Sequence, residues 1–308
     1  MSLTKFVQRP SIRHAFKMLA VCGAAKPTTV GRAMLVPSRG AHAGAIGTAF
    51  DYLARFDIAR SLRGSQVTLH ERRWIAEEGM DAIGFFCRRK DVERWRRLIV
   101  EARAEVAAYV GGGPRRERLG ELAQYLAHAD LLVRSPPGFG AEFQPKQNAT
   151  AELFHLLDQF ECARAALKPQ RFCALNPCFV ASHYVGGADA DLIVDERLVE
   201  FKTTINLDSV RRHLIQLAGY AALQHIAGLE IVDGVRHARF RSAEIYFARY
   251  GKLVRWDMDD LFPAAAFHRF CSIFKSEALR EMPSGFLRRH AEKLRTRAKQ
   301  RLAAVVKA

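Results

Sequence analysis

The chain has 308 residues, with 48 Lys or Arg against 32 Asp or Glu, which gives a formal net charge of +16 at pH 7. Its hydrophobic content of 49%, with 21 Gly and 11 Pro, excludes collagen-like and wholly disordered proteins. The positive charge favours a polyanionic partner, with nucleic acid ahead of an anionic membrane surface, although basic proteins without such partners also exist.

The first part of the chain has the patterns of helices. An amphipathic helix is predicted near the N-terminus, where basic residues precede a short apolar run that ends at Ala25. A second helix begins near Gly47, because Phe50 and Leu53 recur at helical spacing. Residues 68–129 predict three further helices, broken near 88–91 and by the Gly-Gly-Gly-Pro run at 111–114.

The composition changes after the Pro- and Gly-rich loop at 135–140. Apolar and β-branched runs now alternate with helical patterns, which predicts an α/β core with a mixed sheet. The predicted elements are helices at 149–164, 209–226 and 286–302, the last rich in Lys and Arg, and strands at 176–185, 188–194, 198–203, 244–249 and 253–256.

The second and third of these strands form a β-hairpin if its loop is the residue pair at 195–196. In that register Asp191 lies opposite Glu200, and Asp189 lies opposite Lys202. All four side chains then share one face of the hairpin. A register shifted by an odd number of residues would send the acids to opposite faces.

Two carboxylates that face each other on a sheet repel unless a cation lies between them. Carboxylate oxygens suit Mg²⁺ or Mn²⁺, and Lys202 follows Glu200 by two residues, so both point the same way. A lysine there can orient or help to deprotonate a water bound to the metal, which suits phosphodiester hydrolysis. The alternative is a solvated, salt-bridged face of an edge hairpin.

The helix after the hairpin carries a second polar pair. Gln216 and Tyr220 stand at positions i and i+4, on a different face from the apolar Leu214 and Leu217. Their amide and phenol groups could contact a catalytic lysine, a phosphate or a base. The alternative is a surface glutamine beside a half-buried tyrosine.

Together these residues resemble the PD-(D/E)XK nuclease superfamily, and most closely its RecB-like exonuclease branch. The resemblance rests on Gly186-Gly187 with Asp191, on Glu200-Phe201-Lys202 and on Gln216 with Tyr220, all within residues 186–220. The stretch Gly47-Thr48-Ala49-Phe50-Asp51 is similar to that branch's first motif, in which a histidine stands where this chain has Asp51.

The resemblance implies a restriction-endonuclease-like core, with a mixed central sheet flanked by helices and an N-terminal all-helical insertion. It implies that Asp191, Glu200 and the backbone carbonyl of Phe201 bind Mg²⁺ or Mn²⁺. Asp51 or Glu152 would supply a third ligand. The role of the additional acid that precedes Asp191 by two residues stays open.

In the same scheme Lys202 assists the attack of water, while Gln216 and Tyr220 position the substrate or the lysine. Basic side chains would contact the phosphates of DNA without reading its sequence. The residues assigned this role are Arg211, Arg212, Arg288, Arg289, Lys293, Arg295 and Arg297.

These features divide the chain into an N-terminal segment at 1–60, a helical insertion at 61–145, a nuclease-like core at 146–285 and a basic helix at 286–308. The predicted function is metal-dependent hydrolysis of DNA. One alternative is a non-catalytic nucleic-acid-binding or assembly module with the same fold. Another is a protein whose basic C-terminal helix docks on anionic membranes.

Other motifs narrow the partners and the location. The chain has no P-loop motif, so a helicase or other motor would be a partner protein. No stretch reaches the roughly 18–20 apolar residues of a transmembrane helix, which predicts no integral membrane association. The six cysteines form no C-x-x-C pair, which predicts no zinc ribbon or disulfide framework and fits a cytoplasmic location.

Overall fold

A computed structural model of the chain describes residues 2–19, 33–40, 42–207, 210–229 and 239–280. Helices and strands alternate along these residues, as expected for a mixed α/β protein. The helices are α1 (Leu3–Phe6), α2 (Pro10–Leu19), α3 (Ala43–Ser61), α4 (Ile75–Ala82), α5 (Arg89–Val110), α6 (Glu117–Ala129), α7 (Leu131–Arg134), α8 (Gln147–Arg164), α9 (Val210–Ala227), α10 (Met258–Leu261) and α11 (Ala264–Arg280). The strands are β1 (Thr68–Glu71), β2 (Phe172–Leu175), β3 (Leu192–Val194), β4 (Arg197–Lys202), β5 (Ser242–Phe247) and β6 (Lys252–Asp257).

The six strands form one mixed sheet in the order β1 to β6. Strands β1 and β2 are parallel, as are β4 and β5, and the other neighbours are antiparallel. A parallel pair needs a crossover connection, which α4 to α8 provide for the first pair and α9 provides for the second. The predicted mixed central sheet flanked by helices is confirmed.

Helices cover both faces of the sheet. Ile193 and Leu198 point into a core formed with α1, α2, α9 and α11. The alternate residues Leu192 and Val199 point into a second core, formed with helices α3 to α8. Because both faces are buried, the strands are apolar on both sides, and an acid within them needs a partner or a function.

The hairpin of β3 and β4 has the predicted register. Leu192 lies opposite Val199, and the loop consists of the two residues 195–196. Asp195 begins this loop with a φ of 52°, and its carboxylate accepts three backbone N–H groups at 170–172. Burial alone would raise the pKa of Asp195, but these hydrogen bonds lower it.

The strand predicted at 176–185 is wrong. The chain leaves the sheet at Asn176, which has a φ of 51° and is followed by Pro177, a residue without an N–H donor. The true strand is β2, immediately upstream, and residues Ser182–Val185 form a 3₁₀ turn. The strand predicted at 188–194 shortens to β3, with one isolated bridge between Cys178 and Asp189 before it.

Most of the other predicted elements are confirmed. These are the N-terminal amphipathic helix as far as Leu19, the helix from Gly47, the three helices within 68–129, the helices at 149–164 and 209–226, and the last two strands. The four residues of β1 were predicted as helix, and α7, α10 and α11 were not predicted. The predicted basic helix at 286–302 lies outside the described residues.

None of the helices in the described ranges is long and apolar enough to cross a membrane.

Candidate active site

A cavity of ≈ 450 Å³ opens beside the hairpin of β3 and β4. Helix α3 forms one wall, and it comes close because Gly47 has no side chain. A Cβ at that position would lie 3.1 Å from Oγ1 of Thr203. The acids and the lysine predicted on one hairpin face line this cavity, together with residues from α3 and α9. The predicted site residues found there are Asp51, Asp189, Asp191, Glu200, Phe201, Lys202, Gln216 and Tyr220.

Glu200 is the most buried acid of the hairpin, with 2% of its surface exposed. Its Oε1 accepts hydrogen bonds from Lys202 Nζ at 2.5 Å and from Gln216 Nε2 at 2.9 Å. Its Oε2 is buried and has no hydrogen-bond partner among the described residues. Burial and the charge of Asp191 raise the pKa of Glu200 to about 8, although Lys202 opposes this.

Asp191 and Lys202 flank Glu200 and respond to each other's charge. Asp191 Oδ2 accepts the backbone N–H of Phe201 at 2.6 Å. Burial raises the pKa of Asp191, while Lys202 and this hydrogen bond limit the rise. Burial alone would lower the pKa of Lys202, but Glu200 and Asp191 raise it above its usual value. The lysine is therefore protonated at neutral pH.

Asp51 reaches the cavity from α3. Its Oδ2 accepts a hydrogen bond from Arg55 Nη2 at 2.6 Å, and its buried Oδ1 has no partner among the described residues. Burial raises the pKa of Asp51 to about 7, Arg55 lowers it, and the charge of Asp191 raises it further. The pKa of Asp51 therefore depends on the charge of the hairpin acid Asp191. Arg55 was missed in the sequence, although it follows Asp51 by four residues on the same helix.

Gln216 and Tyr220 connect α9 to the hairpin. Gln216 Nε2 lies 2.9 Å from both Glu200 Oε1 and Tyr220 Oη, and the tyrosine donates its proton to the backbone carbonyl of Asp189 at 2.7 Å. The two side chains therefore orient Glu200 and anchor the segment before β3. The Asp189 carboxylate accepts a hydrogen bond from Arg134 Nη2 at 2.7 Å. The two residues are 55 positions apart, so no local spacing in the sequence predicts this contact.

Glu152, the other acid named as a third ligand, lies elsewhere. It is completely buried, its Oε1 binds Arg249 Nη2 at 2.5 Å, and its Oε2 accepts the backbone N–H of Arg39 at 2.8 Å. Glu152 does not line the cavity. Arg249 in turn donates to backbone carbonyls of Thr203 and Val36, so the pair holds loops together. The structure therefore places Asp51, and not Glu152, beside the hairpin acids.

The donor groups of the cavity fit a hard divalent cation. Within the described ranges, no three His, Cys, Asp or Glu side chains are arranged to hold a metal. Mg²⁺, however, commonly binds proteins through one or two carboxylates and fills its other positions with water and substrate phosphate. Asp191, Glu200 and the Phe201 carbonyl offer such a set. The unpartnered oxygens of Glu200 and Asp51 support it, because a buried carboxylate oxygen without a partner is costly.

The predicted nucleic-acid contacts divide into two groups. Arg211 and Arg212 are exposed in the first turn of α9. The five basic residues of the predicted C-terminal helix, which are Arg288, Arg289, Lys293, Arg295 and Arg297, lie outside the described residues.

Comparisons of the chain with protein-family models, with curated proteins and with solved structures found no match.

The raised pKa of Glu200 predicts a pH-dependent effect of Glu200→Gln in EDTA. A glutamate has a pKa near 4.5 when unperturbed and about 8 here, so its ionisation increasingly destabilises the folded state as the pH rises between these values. Glutamine removes this cost. Relative to wild type, the variant should gain about 2–4 kcal/mol of unfolding free energy between pH 5 and pH 8, measured by urea denaturation.

The exposed Glu142 provides the control for this comparison. Glu142→Gln removes a carboxylate from the surface and should change the unfolding free energy by less than about 1 kcal/mol. A Glu200→Gln difference that does not change with pH would show that Glu200 ionises in the folded protein as it does in the unfolded chain.

Proposed function

We propose that this protein is a metal-dependent nuclease with a PD-(D/E)XK-type core, and that it hydrolyses phosphodiester bonds of DNA. The observation that carries the proposal is the cavity in which Asp191, Glu200 and Lys202 meet, with one carboxylate oxygen of Glu200 buried and unpartnered among the described residues. Buried acids with raised pKa values in a cleft are typical of functional sites.

Asp191, Glu200 and the Phe201 carbonyl would hold Mg²⁺ or Mn²⁺. When bound, the metal supplies Lewis-acid polarisation of the scissile phosphate. The Phe201 N–H fixes Asp191, and Gln216 fixes Glu200, so both carboxylates are oriented before substrate arrives. This pre-organisation supports a catalytic role, because a solvated hairpin face would not need it.

Lys202 has the role of a cation in this scheme. Its raised pKa keeps it protonated, so it stabilises the negative charge that develops on the phosphate and orients the attacking water. It does not act as the base in this protonation state. Its hydrogen bond to Glu200 holds the ammonium group on the face that carries both acids.

Asp51 would be the additional acid that faces the metal, because its Oδ1 is unpartnered among the described residues. Arg55 holds the other oxygen and balances part of the negative charge. In this proposal Asp51 would take the role that the RecB-like motif gives to a histidine.

The proposal is tested by cleavage of linear, nicked and single-stranded DNA in Mg²⁺, in Mn²⁺ and in EDTA. The wild-type protein should cut at least one substrate only with metal, and Asp191→Asn should abolish cutting while it retains the fold and DNA binding. The exposed Asp259 provides the control variant Asp259→Asn, which should cut normally. DNA binding without cleavage of any substrate would instead support a non-catalytic nucleic-acid-binding or assembly module.

A further inference from the structure

A second cavity, of ≈ 730 Å³, lies next to the candidate active site. It is a groove between the N-terminal helices α1 and α2 and the start of α9, and Thr4 lines both cavities. Among the described residues, all five charged side chains that line the groove are positive. These residues are Lys5, Arg13, Lys17, Arg211 and Arg212, and they are called the basic groove below.

The N-terminal helices are firmly attached to the core. The backbone N–H of Leu3 donates to the Gly187 carbonyl at 2.9 Å, beside the acids of the candidate site. Leu3 and Val7 pack against Gly219 of α9, where a Cβ would lie 3.0 Å from each side chain. The ring of Phe6 stacks edge-on against Phe274 of α11 at 4.9 Å. The groove is thus a fixed part of the surface.

The charges of the basic groove are unfavourable for the isolated protein. Arg13 and Lys17 stand at i and i+4 on α2, where like charges repel. Arg211 and Arg212 lie in the first turn of α9, where the helix dipole disfavours cations and where no acidic residue stands within the described turn. Within the described ranges none of the five groove cations forms a salt bridge, whereas nearby Arg9 pairs with Glu277.

The groove adjoins the active-site cavity, because Thr4 lines both. A strand held by the groove cations would therefore continue directly into the cavity that contains Asp191, Glu200 and Lys202. The volume of the groove lies within the range of roughly 300–1,000 Å³ that is typical of ligand pockets. A space of this size fits a few nucleotides of one strand, and not a duplex.

We propose that the basic groove binds the sugar-phosphate backbone of a single nucleic-acid strand that enters or leaves the candidate active site. That the strand enters or leaves an active site rests on the proposed nuclease function. Binding in the groove does not itself require cleavage. Its recognition chemistry is electrostatic, since five cations face the groove and no carboxylate stands among its described lining residues, and it should be insensitive to base sequence.

The test measures binding of a fluorescein-labelled 20-nucleotide oligothymidylate by the full-length Asp191→Asn protein in EDTA, so that no cleavage occurs. In this background the groove variant is Arg13→Ala/Lys17→Ala/Arg211→Ala. The control variant Lys90→Ala/Lys168→Ala/Lys252→Ala removes the same charge from exposed positions outside the groove. Anisotropy titrations at several salt concentrations give the dissociation constant and its salt dependence.

The groove variant should bind the single strand at least about tenfold more weakly, and the slope of log K against log salt should fall by about 2, because each lost phosphate contact contributes about 0.7 for a single strand. The control variant should change neither quantity. Equal effects of the two variants would overturn the proposal. So would an equal loss on a blunt 20-base-pair duplex, or unchanged oligothymidylate binding together with lost binding to phosphatidylglycerol vesicles.

These outcomes separate the groove from the nuclease proposal. If the protein cuts DNA but the groove variant binds oligothymidylate normally, the nuclease proposal stands and the groove proposal fails. If the protein never cuts DNA but the groove variant loses oligothymidylate binding, the nuclease proposal fails and the groove stands as a nucleic-acid-binding site without catalysis.

Discussion

Lys202→Ala should lower the rate of DNA cleavage about 10³-fold, the range observed when a group that stabilises transition-state charge or transfers a proton is removed. The affinity for Mn²⁺ should stay the same or increase. Lys202 donates a hydrogen bond to Glu200, and its positive charge repels a metal cation in the same cavity, so its loss leaves Asp191 and Glu200 freer to bind metal. Single-turnover cleavage and calorimetric Mn²⁺ titration measure the two effects.

Two further variants define the role of this lysine. Lys252→Ala removes an exposed lysine on β6 and should cut at the wild-type rate. Lys202→Arg keeps the charge, so partial recovery of cleavage supports electrostatic stabilisation, whereas no recovery indicates that the compact ammonium group is required. If Lys202→Ala weakened Mn²⁺ binding and cleavage to the same extent, the lysine would be a structural support of the site and not a catalytic group.

The hairpin could be predicted from the sequence because its determinants are local. A two-residue loop fixes which residues face each other, and the alternation of side chains then places Asp191, Glu200 and Lys202 on one face. The observed register agrees. The role of these residues stays a prediction until cleavage and metal binding are measured.

The wrong predictions concern residues whose secondary structure depends on a special backbone conformation or on contacts with distant segments. Residues 176–185 look like a strand, but the positive φ of Asn176 and the following proline end the strand before them. Strand β1 is only four residues long and lies at an edge, so its pattern was too short to distinguish from the helices around it.

Contacts between distant segments were the hardest part of the site to predict. Arg134 reaches Asp189 across 55 positions, and Arg249 reaches Glu152 across 97. No local spacing encodes such pairs, so Glu152 looked as suitable a third ligand as Asp51. Tertiary packing distinguishes the two acids, because both oxygens of Glu152 have partners outside the cavity, whereas Oδ1 of Asp51 has none among the described residues.

Glu152→Ala should destabilise the protein by about 3–5 kcal/mol and leave the Mn²⁺ affinity of the folded fraction unchanged. Glu152 and Arg249 are 0% and 1% exposed, so the substitution strands a buried guanidinium that its two carbonyl acceptors satisfy only in part. Urea denaturation measures the loss. Glu152→Gln, which keeps the hydrogen-bonding shape, should cost less and provides a folded protein if the alanine variant does not fold.

Asp51→Asn should have the opposite profile. Its side chain keeps its size and one acceptor oxygen, and the loss of a buried carboxylate whose pKa is raised to about 7 removes an electrostatic cost near neutral pH. Stability should therefore hold or increase, while Mn²⁺ affinity falls by about 10- to 100-fold, as is typical when a group that supports a metal site is removed. If Glu152→Gln weakened Mn²⁺ binding and Asp51→Asn did not, the third ligand would be Glu152, and the cavity described here would have to rearrange when metal binds.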